Sequence, residues 1–180
     1  MSKVYRVYVE KRNDFKVEAL EVLHNIKNQL KIDALEDLSI VHRYDVQNVD
    51  EEVLKQGISI ILSEPMVDDV MLEDYPTDGK KVFAIEYLPG QYDQRADACE
   101  QCFQLLSGKK SVKVKCAKLI VLTGNITDEE VLKIREQYVY MSVSELYEFY
   151  KDKCSLSGFK KIVQGTTFKH LPIYSKSMKK

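Results

Sequence analysis

The feature that most restricts the fold of this sequence is an internal repeat. The hexapeptide DEEVLK at 50–55 returns letter for letter at 128–133, 78 positions later. Acidic residues favour the first turn of a helix because they interact with its positive amino-terminal end, so both copies predict a helix start. A single match of this kind can arise by chance. Further elements in the same register are needed before a duplication is inferred.

Two more pairs of segments fall into this register. The β-rich run 4–9 lies 78 positions before 82–87, and 41–44 lies 78 positions before 119–122. Each half also has a helical pattern between its strands, with apolar residues at three- and four-residue steps on one face. The residues of these faces are Phe15, Ala19, Val22, Leu23, Ile26 and Leu30 in the first half, and Cys99, Cys102, Phe103 and Leu106 in the second. Each half therefore predicts strand, helix, strand, helix.

The repeat predicts an α+β fold. One strand-helix-strand unit cannot bury both its faces, but two copies side by side form a mainly antiparallel sheet with helices packed on one face. We place the first half at 1–76 and the second at 80–138, joined through the turn-rich segment 74–79. Residues 139–180 are interpreted as a divergent helical extension that ends in a basic tail.

Composition limits the classes of partner. The formal net charge of -1 over 180 residues gives no global electrostatic reason to expect nucleic acid or an anionic membrane as partner. No apolar run approaches the roughly 20 residues that span a bilayer, and the first ten residues lack the apolar stretch of a signal peptide. We therefore expect a cytoplasmic protein.

Neither metal binding nor redox chemistry is expected from the cysteines and histidines. Two of the cysteines form a C-x-x-C inside a helical pattern, there is no second such pair, and the histidines lie far away in sequence, whereas a structural zinc site needs four converging ligands. We interpret the two helical cysteines as small apolar residues on a helix face. The residues considered are Cys99, Cys102, Cys116, Cys154, His24, His42 and His170.

The most distinctive segment is EYLPGQYDQRAD at 86–97. It predicts a strand, a Pro-Gly turn and a helix that Asp93 can cap, and the open amides of that helix start could hold an anion. The alternative is structural: Arg95 bridges to Asp93, Asp97 or a neighbouring acid on the surface, and the aromatic and turn residues shape a half-buried turn. The candidates for facing a partner or substrate are Tyr87, Gln91, Tyr92, Asp93, Gln94 and Arg95. We also expect Arg43 and Asp45, at the end of a predicted strand, to form an exposed ion pair of little weight.

Segment 86–97, continued by 101–106, resembles the signature of the large, single-chain phosphoribosylformylglycinamidine synthases. The segments 4–11, 43–46 and 63–68 also resemble the first half of that family's amino-terminal domain, and the resemblance covers roughly residues 1 to 135. In the family this region is an internal duplication similar to a dimer of the separate small subunit. This agrees with the repeat found from the letters alone.

The resemblance implies a role in de novo purine biosynthesis. The family is a glutamine- and ATP-dependent C-N ligase that converts formylglycinamide ribonucleotide to the amidine with ammonia released from glutamine. Its ATP- and magnesium-binding synthetase core and its glutaminase lie outside the region resembled, so they are the partners expected here. We accordingly expect no catalytic residue and no cofactor in this chain. The sequence agrees, since it has no Gly-rich phosphate loop, no cysteine with a plausible histidine partner and no carboxylate cluster for magnesium.

Residues 138–180 depart from the family's pattern, and a truncated gene, a frameshifted tail and a standalone relative all fit that departure. The leading hypothesis is a scaffolding domain that packs against the synthetase core and helps ammonia transfer. The alternative is a free-standing module that senses small metabolites at the seam between its two halves. The absence of a polar cluster repeated at the offset of 78 speaks against this alternative.

Overall fold

The computed structural model describes residues 3–87 and 91–136, which form one sheet and the helices packed on it. The strands are β1 (Val4–Lys11), β2 (Leu35–Gln47), β3 (Asp68–Leu72), β4 (Lys81–Ile85) and β5 (Lys113–Gly124). The helices are α1 (Val17–Leu30), α2 (Glu51–Gly57), α3 (Gln94–Ser107) and α4 (128–136). A 3-10 turn, Asn13–Phe15, precedes α1, and a π-helical turn, Ile58–Leu62, follows α2. The predicted extension at 139–180 lies outside the described residues.

The five strands form an antiparallel sheet in the order β3-β1-β2-β5-β4. In each half the two strands that flank the longer helix are neighbours, β1 beside β2 and β4 beside β5. The halves join through β2 and β5, which form the longest ladder. The predicted fold class is confirmed: duplicated strand-helix-strand-helix units build an antiparallel sheet with helices packed against it.

The pairing at the centre of the sheet shows how the two halves are related in space. Val41 of β2 pairs with Leu119 of β5, and these residues are counterparts in the repeat because they lie 78 positions apart. When a residue in an antiparallel ladder faces its own counterpart, the two strands are related by a local twofold axis through that pair. The axis therefore passes between Val41 and Leu119 and exchanges the two halves.

The predicted match of 4–9 with 82–87 is shifted. Val7 faces Tyr44 in the first half, and the counterpart of Tyr44, which is Leu122, faces Lys81 in the second. Lys81 is therefore the counterpart of Val7, four positions before the residue that the letters indicate. A shift of an even number of residues keeps every side chain on the same face of a strand, so the alternation of apolar residues cannot reveal it.

The helix face of the sheet has two apolar clusters, and each combines helices from both halves. One packs α2 and α3 over the β1 end of the sheet, and the other packs α1 and α4 over the β4 end. Phe103 is fully buried in the first cluster, and its ring lies directly against Gly57 of α2. A β-carbon at position 57 would collide with that ring, so the close approach of α2 and α3 requires this glycine.

The second face of the sheet is also buried. Tyr75, from the link between β3 and β4, packs on Tyr8 with 5.7 Å between the ring centroids. Its hydroxyl donates to Glu10 Oε2 at 2.6 Å, and Lys16 pairs with Glu10 Oε1 at 2.7 Å. Burial would raise the pKa of Glu10, but hydrogen bonds from Lys16, Tyr75 and Ser39 outweigh it and leave the pKa below its usual value. The link is thereby fastened to β1.

Candidate functional site

The six predicted site residues lie on the segment that joins β4 to α3, of which 88–90 is outside the described residues. The side chains of Tyr87 and Tyr92 are 52% and 70% exposed, so both rings are open to solvent. Gln94 is also exposed, whereas Gln91 and Asp93 are partly covered. The segment therefore presents two aromatic rings on the surface of the protein.

The start of α3 is capped as predicted. Asp93 Oδ1 accepts a hydrogen bond from the backbone N–H of Ala96 at 3.0 Å. Tyr92 donates its hydroxyl proton to Asp97 Oδ2 at 3.0 Å, and this bond raises the pKa of Tyr92. Because a carboxylate of the protein already occupies the helix start, the expectation that its open amides hold an anion is not supported there.

Arg95 makes a contact that neither interpretation of the sequence predicted. Its Nη1 donates to the hydroxyl of Tyr44 in β2 at 3.0 Å, and no bridge to Asp93 or Asp97 forms. Tyr44 is buried, which raises the pKa of its hydroxyl, while the bond from Arg95 opposes that rise. Arg95 therefore ties the first turn of α3 to the central strand of the first half.

Glu86, at the other end of the segment, is held on the second face of the sheet. Its Oε1 accepts from Arg43 Nη2 at 3.0 Å, and Arg43 Nη2 also lies 3.3 Å from Asp45 Oδ2. Arg6 completes the group, with Nε 2.6 Å from Asp45 Oδ1. The side chains of Arg43 and Asp45 are only 15% and 14% exposed. The expectation of an exposed pair at a strand end is therefore wrong.

The prediction of an exposed pair fails because β2 is longer than expected and because of the residues that face Arg43 and Asp45 on the neighbouring strands. The strand continues to Gln47, so Arg43 and Asp45 lie inside the sheet rather than at its margin. Asp45 faces Arg6 across the ladder, and Arg43 faces Ala117, whose small side chain leaves room for the guanidinium. Cross-strand neighbours depend on register, which the local letters do not contain.

The two ends of the segment are thus fastened to adjacent residues of β2. Arg43 holds Glu86 on the second face, and Tyr44 holds Arg95 on the helix face. Residues that follow one another in a strand point to opposite faces, which is why one dipeptide can anchor both ends. Glu86 and Arg95 are therefore positioned by the strand that also carries the local twofold axis.

Beside Arg95, the helix face contains a neutral histidine. His42 pairs with Lys118 across β2 and β5, and Lys118 Nζ lies 2.9 Å from Glu18 Oε1 of α1. Burial, together with the charges of Arg95 and Lys118, lowers the pKa of His42 to about 4. At neutral pH the imidazole is uncharged, so the positive charge next to the segment comes from Arg95 and Lys118.

The C-x-x-C pair divides between two environments. Cys99 is buried against the sheet, as predicted, but Cys102 is exposed. Three helical residues correspond to about 300° of rotation, which carries Cys102 to the edge of the buried stripe of α3. Among residues 3–87 and 91–136, no group of three or more His, Cys, Asp and Glu side chains could hold a metal ion.

Comparisons with protein-family models, curated proteins and solved structures found no match. Within the described residues, no helix is long and apolar enough to cross a membrane.

Proposed function

We propose that this chain is a non-catalytic scaffold domain of the phosphoribosylformylglycinamidine synthase type. In this role it docks on an ATP- and magnesium-dependent synthetase core and helps ammonia pass from a glutaminase to that core. The observation that carries the proposal is the meeting of two separate segments, 43–46 and 86–97, which both carry the sequence resemblance. Each is placed by the other through Arg43 with Glu86 and Arg95 with Tyr44.

The surface of the segment has the chemistry of a protein interface. Tyrosine and arginine are enriched at such interfaces because they combine apolar area with hydrogen bonding. Tyr87 and Tyr92 are exposed, and anchoring at both ends reduces the conformational entropy lost when a partner binds. The described residues of the segment, 86–87 and 91–97, are therefore suited to act as a preorganised docking surface.

The proposed activity is positional rather than chemical. A domain that covers the synthetase core excludes water from the reacting centre and limits the loss of ammonia to solvent. ATP, magnesium and the glutaminase triad belong, in this proposal, to the partner domains. The residues that matter in this chain are those that set the docking geometry.

Binding to a synthetase core that lacks its own amino-terminal domain tests the proposal. We expect the full chain to co-elute with the core in size-exclusion chromatography with light scattering. Replacing both Tyr87 and Tyr92 by alanine should weaken binding by about tenfold or more, since buried tyrosines are frequent interface hot spots. Matched controls are Leu20→Ala and Ile60→Ala, at exposed apolar residues outside every stretch that carries the resemblance, which should bind as the wild type does.

Equal binding by the tyrosine variant and the wild type would remove the segment from the docking surface. A folded chain that does not bind the core at all contradicts the proposal. If amino acids or nucleotides then raised the melting temperature by several degrees, the metabolite-sensing alternative would replace it.

A further inference from the structure

The proposed function does not use a pair of polar side chains beside the local twofold axis. His42 of β2 and Lys118 of β5 face each other across the central ladder. Both lie on the helix face, because Ile40 and Ile120, two residues away along the same strands, pack in the apolar cluster under α1 and α4. Directly opposed residues of an antiparallel ladder have their β-carbons about 5 Å apart, so the two side chains are neighbours.

The repeat indicates that the fold does not require polar residues at these two positions. The counterpart of His42, 78 positions later, is Ile120. The counterpart of Lys118, 78 positions earlier, is Ile40. Both isoleucines are buried on the helix face, and an apolar residue buries more apolar area than a histidine or a lysine. Packing alone therefore does not account for the polar pair.

Arg95 brings a second cation to this pair. Tyr44 follows His42 by two residues on β2, so both side chains lie on the helix face, and Arg95 Nη1 donates to the Tyr44 hydroxyl at 3.0 Å. The charges of Arg95 and Lys118 both lower the pKa of His42, which agrees with this placement. Within residues 3–87 and 91–136, Arg95 uses one of its five N–H donors, and His42 makes no hydrogen bond.

The group is open to solvent and has an excess of positive charge. The side chain of Lys118 is 32% exposed, and Arg95 is exposed as well. Lys118 Nζ lies 2.9 Å from Glu18 Oε1, but the Glu18 side chain is 59% exposed, and an exposed ion pair of this kind is weak. A doubly charged anion can therefore replace the Glu18 carboxylate on Lys118.

We propose that Arg95, Lys118 and His42 form a binding site for a phosphate group, carried either by inorganic phosphate or by the monoester of a small metabolite. Arg95 offers its remaining donors, whose forked geometry fits the oxygens of a phosphate. Lys118 supplies the second positive charge, and the imidazole of His42 donates one N–H. Phosphate binding needs no synthetase core, so the inference can succeed or fail separately from the scaffold role.

NMR titration of the full chain with inorganic phosphate at constant pH tests the inference. We expect the imidazole resonance of His42, assigned from its loss in His42→Gln, to shift and saturate with a Kd on the order of 1 mM or lower. His24, on α1, is the internal reference and should not shift. Sodium chloride at matched ionic strength separates binding at the site from general screening.

A parallel titration with ribose 5-phosphate distinguishes the two sources of the phosphate group. A Kd at least tenfold lower for the ester supports the site as one for a metabolite monoester. Equal values, or tighter binding of inorganic phosphate, support it as a site for the free ion.

Substitution of the two cations locates the site. Arg95→Gln and Lys118→Gln should each weaken phosphate binding by about fivefold or more, because each removes a charge-assisted hydrogen bond. Lys81→Gln is the matched control and should bind as the wild type does. Lys81 faces Leu122 in the ladder and lies 2.7 Å from Asp128 of α4, so this variant loses the same charge and the same kind of ion pair elsewhere on the helix face.

The wild-type titration decides the matter even if a variant does not fold. A His42 resonance that moves no more in phosphate than in sodium chloride overturns the inference. Equal weakening by Lys81→Gln and Lys118→Gln would assign the binding to the general charge of the protein and overturn it as well.

Discussion

The helices α1 and α3 hold counterpart positions in the two halves, and they differ in a systematic way. Both have 14 residues, and their buried positions follow the same spacing from the helix start. The buried residues are Ala19, Val22 and Ile26 in α1, and Ala96, Cys99 and Phe103 in α3. Packing against one sheet has thus preserved the apolar stripe in both copies, although only the alanine is the same residue.

The starts of these two helices have diverged instead. Lys16, before α1, makes no capping bond, and its side chain contacts buried Glu10 and Ser39. Asp93, before α3, caps its helix, and the next turn sends Arg95 to Tyr44. The residue before α1 therefore makes its contacts with buried residues of the fold. The start of α3 is instead held at the surface, beside the exposed Tyr92. We propose a docking surface beside the start of α3 because of this difference.

The largest expected effect tests the buried apolar stripe that α1 and α3 have in common. Phe103→Ala should cost about 3 to 5 kcal/mol of unfolding free energy, because it empties a fully buried site against Gly57. Ile26→Ala, at the counterpart position, should cost about 2 to 4 kcal/mol for the same reason. Urea denaturation of both variants measures the two losses of unfolding free energy. A loss below about 1 kcal/mol at either position would mean that the two stripes are not equivalent core elements.

The next largest effect tests His42, which lies on the helix face of the sheet. The pKa of His42 is lowered to about 4 in the folded protein, from an ordinary value of 6.5. Between these two pKa values the unfolded chain binds a proton that the folded protein does not bind. The contribution of His42 to the unfolding free energy is therefore complete above about pH 6.5 and is lost as the pH falls towards 4. The total loss from this group should reach about 3 kcal/mol.

Thermal or urea unfolding between pH 7 and 4.5 checks this window, and its upper part, above about pH 5.5, lies above the range where carboxylates titrate. His42→Gln provides the control, because it should flatten the curve between about pH 6.5 and 4.5. An unchanged slope in the variant would assign the pH dependence to other groups.

The smallest effect compares the two helix starts directly. Asp93→Ala should cost about 1 kcal/mol because it removes the cap of α3, while Asp93→Asn keeps an oxygen acceptor and should cost much less. Glu18→Ala, in the first turn of α1, removes only a largely exposed ion pair with Lys118 and should cost less than about 0.5 kcal/mol. Chemical denaturation of the three variants gives the order of their losses in unfolding free energy. Equal losses for Asp93→Ala and Asp93→Asn would show that the cap does not stabilise α3.

The sequence predicts well those features that depend on neighbours along the chain. The apolar steps of α1 and α3 indicate helices, and Asp93 caps as its position before α3 predicts. The contacts of Arg95 with Tyr44 and of Arg43 with Glu86 could not be predicted this way. They join residues far apart in sequence, and they depend on strand order and register. The shifted match of β4 has the same origin, since an even slip leaves the alternation of side chains unchanged.

Activity supplied in trans is the most direct test of the scaffold role. A synthetase core without its own amino-terminal domain would be assayed for ammonia-dependent amidine formation, with and without the full chain. We expect the chain to raise the rate by about tenfold or more, and the variant with alanine at Tyr87 and Tyr92 to need a higher concentration for the same rise. No rise with a folded chain, or the same rise with an unrelated folded protein, would rule out the scaffold role.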